Sequence, residues 1–91
     1  MNLTENKSEI KADEFLDAKG LNCPLPILKT KVLLNKMQPG QVIHVLSTDP
    51  HSVIDFEAYC ARTKHELLET RESDNGLYEF FVRRAEHPRK Y

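Results

Sequence analysis

Proline placement constrains this chain before any other feature does. Pro24, Pro26, Pro39 and Pro50 all fall between runs of apolar residues, and proline is excluded from helix interiors and central strands because it lacks a backbone donor. In the first turn of a helix that donor has no intrahelical partner anyway, so Pro24 and Pro26 mark a helix start. Pro39-Gly40 marks its end. Asp49-Pro50 opens a second helix, with Asp49 as N-cap and Pro50 at the first helical position.

Periodicity fills in the rest. From about Pro24 to Met37, Ile27, Thr30, Leu34 and Met37 recur at helical spacing with Leu33 beside them, predicting a face that covers a sheet. Lys29 and Lys36 fall on the other side, while Leu28 and Val32 lie where a second helix could touch. The second helix runs to about Thr63 with Val53, Phe56 and Cys60 on one stripe. Short strands are expected at Glu14 to Ala18, Gln41 to Ser47, Glu66 to Glu72 and Leu77 to Arg84. Asn75-Gly76 is a hairpin signal between the last two. The order β-α-β-α-β-β predicts a two-layer α/β (α+β) sandwich, a four-stranded mixed sheet with both helices on one face, because crossovers share a hand.

With 91 residues, the chain is bounded to one domain. It is expected to comprise a disordered segment over 1–12, a domain over 13–84 and a polar tail over 85–91. Thirteen basic residues stand against 14 acidic ones, so no global field favours nucleic acid. The tail residues Arg83, Arg84, Arg89 and Lys90 read as solvated. No stretch approaches the roughly 20 apolar residues that span a bilayer, and the start has no apolar run like a signal peptide. The expected location is therefore cytoplasmic, without membrane contact.

Two cysteines without a CxxC pair leave a disulfide scaffold out. Cys23 lies at or just before the first turn of the first helix, where free N–H groups and the dipole favour an anion. Such placement can lower a thiol from about 8.5 into a range of about 3.5 to 7.5, although two prolines weaken the effect by removing N–H groups. Pro24 and Pro26 compensate by fixing the junction that presents the sulfur. On position alone, a carrier or nucleophile and a buried structural thiol are equally good readings.

Cys23-Pro24-Leu25-Pro26 resembles the CPxP motif of the TusA (SirA-like) family of sulfur carriers. The likeness extends over Asp17, Gly20, Leu21, Pro39-Gly40, Asp49, Asp55, Cys60, His65-Glu66-Leu67 and Gly76, from about Phe15 to Arg84. The resemblance implies the sandwich fold and a persulfide carried on Cys23. It further implies loading by a cysteine desulfurase that works with pyridoxal phosphate, and passage to a sulfurtransferase relay. Thiolation of tRNA at 2-thiouridine is one destination; sulfur oxidation and molybdenum cofactor synthesis are others. The chain would then be a co-substrate of other enzymes, monomeric, with no cofactor of its own. A thiol-disulfide redox protein using Cys23 and Cys60, or a regulatory interaction module, is the alternative.

The remaining polar residues read more plainly. Cys60 is expected in the core. His51 and His65 are expected as surface or capping groups and His44 on an exposed or edge face. No histidine pairing or Cys-His spacing suits a metal. Asp55 reads as solvated, and Lys29 with Lys36 as a solvated face that could dock a partner.

Overall fold

The structure, a computed structural model, describes residues 10–87. Along the chain the elements are β1 (Glu14–Ala18), α1 (Leu25–Lys36), β2 (Val42–Ser47), α2 (Ser52–Thr63), β3 (Glu66–Glu72) and β4 (Tyr78–Arg83). The sheet order is β1-β2-β4-β3, with β1 parallel to β2 and the other two pairings antiparallel. Both crossovers, through α1 and through α2, step the same way across the sheet, and crossovers of one hand put their helices on one face. β4 then returns between β2 and β3. This is the mixed, α+β architecture expected from the sequence.

Strand alternation separates the two faces. Ile43 pairs with Val82 and Val45 with Phe80, and these four join Ala18, Leu34, Met37, Phe56 and Cys60 in one buried cluster. The rings of Phe56 and Phe80 stack with centroids 4.1 Å apart. The other face holds Phe15, His44 and Phe81. His44 stacks on Phe81 at 4.3 Å and meets Phe15 edge-on at 5.3 Å. Its strand is internal, and its neighbours leave 23% of the side chain exposed, so the open face is partly covered by its own aromatics.

Several boundaries sharpen. α2 proper starts at Ser52, with His51 at the N-cap position and no side-chain cap bond. Before it, the Asp49 and Pro50 carbonyls accept from the N–H groups of Ser52 and Val53, a tighter turn than the regular helix. The hairpin closes through Ser73 N–H to Leu77 O at 2.9 Å and Gly76 N–H to Ser73 O at 3.2 Å. Gly76, at φ +85°, takes the left-handed turn that glycine adopts without steric cost. Leu28 and Val32 stay 45% and 54% exposed, so neither is sealed by the second helix. The expected disordered segment 1–12 lies mostly outside the described residues, as does much of the expected tail 85–91.

His65 corrects an expectation. It is buried, at 4% exposure, and its Nδ1 accepts the Ala85 N–H at 3.0 Å. The cause lies beyond local sequence: the chain after β4 folds back over the start of β3. Burial, with the nearby Arg84 charge, holds its pKa below the ordinary 6.5. The unfolded chain therefore binds the proton more tightly, so stability present in full above about pH 6.5 falls as pH drops through that value toward the folded one. Thermal melts between pH 7.5 and 5 should show this loss, and His65→Gln should flatten it.

Candidate functional site

The chain leaves β1 into a loop tied to the loop after β2. Gly20, at φ +84°, turns the chain so that its N–H reaches Thr48 Oγ1 at 2.9 Å. Leu21 N–H closes back on Ala18 O at 3.2 Å and Leu25 N–H on Asn22 O at 2.8 Å. Pro24 occupies the N-cap position of α1, which has no side-chain cap, and the Cys23–Pro24 peptide bond is cis. Pro26 is buried, and its carbonyl accepts the Thr30 hydroxyl at 2.8 Å. One proline thus packs inward while Cys23 stays exposed.

Two aspartates from the start of α2 converge on Cys23. Asp49 Oδ2 accepts the Cys23 backbone N–H, and Asp49 Oδ1 accepts the His51 N–H at 3.0 Å. These two donors hold the Asp49 carboxyl below its ordinary 3.8. Asp49 is therefore not the N-cap expected from the sequence: one oxygen closes the turn ahead of α2, while the other fastens the cysteine loop. Asp55, in the first turn of α2, takes a hydrogen bond from Cys23 Sγ to Oδ2 at 3.0 Å. Asp55 is not a solvated bystander: it touches the sulfur.

The thiol pKa runs opposite to the expectation from helix position. Cys23 is pushed from its ordinary 9.0 up to about 11, first by its hydrogen bond to Asp55, then by slight desolvation and the charges of Asp55 and Asp49. Prolines reduce the donors that α1 offers an anion, and the charges acting on the sulfur, those of Asp55 and Asp49, are both negative. At neutral pH the resting group is a thiol. Cys60, by contrast, is 6% exposed and burial pushes it up to about 12. Both cysteines are free thiols, Cys23 exposed and Cys60 buried.

Lys29 and Lys36 are exposed on α1. Lys29 joins Leu16, Val32 and Leu33 around an open groove of about 300 Å³. Leu25 and Leu28, one turn apart, are 42% and 45% exposed, which extends apolar surface from the cysteine end along the helix. Among the described residues no group of three or more His, Cys, Asp and Glu could hold a metal ion. No described helix is long and apolar enough to cross a membrane.

Sequence reading placed Cys23, Pro24 and Pro26 together and missed Asp55. The signal was topological. Parallel neighbours β1 and β2 each feed a helix from the same sheet edge, which sets the two helix starts side by side.

Comparison with known proteins agrees with this fold. Residues 14–84 match the family described as sulfurtransferase TusA. The sulfur carrier protein TusA of Allochromatium vinosum is 51% identical over 73 residues, covering 80% of this chain and 95% of that protein. The crystal structure of a SirA-like protein from Desulfitobacterium hafniense superposes with a TM-score of 0.71 at 26% identity, covering 79% of this chain and 97% of its own. An exposed cysteine in a CPxP turn, the mixed sheet and this likeness over nearly the whole domain agree: the chain belongs to the TusA family of sulfur carriers.

Proposed function

We propose that this protein carries sulfane sulfur as a persulfide on Cys23, accepting it from a cysteine desulfurase and passing it to a sulfurtransferase relay. The observation that carries the reading is the exposed Cys23 thiol, in a loop that Pro24, Pro26 and Asp49 fix in place. Loading is attack of the Cys23 sulfur on the outer sulfur of the donor's persulfide, and unloading is attack by the acceptor's thiolate on the sulfur now held. Neither step needs a metal or cofactor on the carrier. In this reading the sulfur goes to tRNA 2-thiouridine synthesis, with the carrier itself making no contact with the nucleic acid. A monomer, working in the cytoplasm, leaves the sulfur end free for two partners in turn. The domain that does this spans 13–84, with 1–12 and 85–91 as appendages.

Incubation with a cysteine desulfurase, pyridoxal phosphate and cysteine should add a mass of about 32 Da, one sulfur atom, at Cys23 by this exchange chemistry. No adduct, under conditions that load another carrier, would refute the proposal. Lys29 and Lys36, seven residues apart and so on one helix face, form part of the docking surface beside exposed Leu25, Leu28 and Val32. Reversing both charges should weaken desulfurase binding by roughly tenfold, as for charged pairs at a partner interface. Unchanged affinity in a binding titration removes the lysines from that surface.

A further inference from the structure

The carboxylate on the sulfur gives the carrier a part in the chemistry. Cys23 Sγ donates to Asp55 Oδ2 at 3.0 Å, within the reach required of a group that takes a proton from a nucleophile. Among the described residues no other side chain hydrogen-bonds that sulfur. The charged and titratable groups facing it are Asp55 from α2 and Asp49 from the preceding loop, with His51 acting on Asp49. Asp49 is already committed to two backbone N–H groups, one of them that of Cys23, so it fixes the loop and leaves Asp55 as the group that meets the thiol. The Asp55 backbone is fixed in turn by its N–H donating to His51 O at 3.2 Å.

The geometry points to Asp55 as the proton acceptor and donor of Cys23 in both halves of sulfur transfer, an assignment that rests on the sulfur-carrier reading. In loading, the Cys23 S–H bond breaks toward Asp55 Oδ2 while the sulfur lone pair forms a bond to the donor's outer sulfur. The bond between the donor's two sulfurs breaks, and its electron pair leaves on the inner sulfur as a thiolate. In unloading, the acceptor's thiolate takes the outer sulfur with its proton. The pair of the broken S–S bond then returns to Sγ, and Asp55 gives back the proton. One sulfur atom changes hands and no external oxidant or reductant takes part.

Asp55 and Cys23 therefore form a matched pair: the same contact that keeps the idle thiol protonated supplies the exit for its proton when a partner's sulfur arrives. Deleting the carboxylate should separate those two effects. With Asp55→Asn, the midpoint of iodoacetamide alkylation of Cys23 should fall from near 11 toward the ordinary 9.0, so the variant alkylates faster at pH 7.5. Sulfur release should move the other way. Full chain loaded with inorganic polysulfide and discharged with cyanide should form thiocyanate about tenfold more slowly in Asp55→Asn at pH 7, a conservative fraction of what acid–base catalysis contributes. Asp55→Glu should restore most of the rate. Faster alkylation with slower release, rescued by glutamate, is the expected result. Equal release rates, or both reactions faster, would overturn the assignment and leave Asp55 as a brake alone. A wild-type chain that takes no sulfur from polysulfide or desulfurase fails the carrier reading instead, so the two failures are distinguishable.

Discussion

Cys23→Ser should take up no sulfur from a desulfurase, while its stability stays within about 0.5 kcal/mol of the parent, as for other surface replacements. The side chain is exposed and contributes nothing to the core, and a serine hydroxyl can still donate to Asp55. What it lacks is a nucleophile able to hold a second sulfur. Cys60→Ser should show the reverse pattern. It should load as the parent does but lose roughly 1 to 3 kcal/mol, because a hydroxyl replaces sulfur among apolar neighbours without a ready partner. Intact-mass analysis and urea unfolding on the same two proteins read both halves. Comparable loading defects in the two variants would contradict the division of labour between the thiols.

The largest stability effect is expected at the centre of the sandwich. Phe56 and Phe80 are both fully buried and stacked at 4.1 Å with rings 2° from parallel, joining α2 to the middle of the sheet. Phe56→Ala should cost about 3 to 5 kcal/mol, the transfer term plus the cavity left behind. A domain of this size holds about 5 to 15 kcal/mol in total, so the variant should unfold at much lower urea. Phe15→Ala is the control. It is 56% exposed and meets His44 edge-on on the open face, and its loss should be less than about 1 kcal/mol.

The division between what residues announce and what only the fold reveals is physical. Pro24, Pro26, Pro39 and Pro50 act through their own backbone, and the stripes Ile27-Thr30-Leu34 and Phe56-Cys60 act through a helix's own period. Those features are local, so element order and core faces were legible. The Asn75-Gly76 turn was legible for the same reason. His65 was not, because its burial depends on where Ala85 returns after β4. Asp55 was not, because 32 residues separate it from the sulfur it contacts. That contact also reverses the expected direction of the thiol pKa. A helix start is a local property, whereas the sum of charges around a sulfur belongs to the assembled loops.

The strand directions carry one more consequence, for how the protein can be tethered. β1 and β2 end at Ala18 and Ser47, on the edge where Cys23 sits. Glu14 opens β1 beside Ile43, and Arg83 closes β4 beside Val42, so the chain enters and leaves the sheet at the far edge. Five or six strand residues at about 3.3 Å each separate the two edges by roughly 15 to 20 Å. A tag or fused domain joined directly before β1 or directly after β4 thus begins from the side that faces away from the cargo. Single-molecule and immobilised transfer assays can hold the domain at those two points and still offer its sulfur to solution.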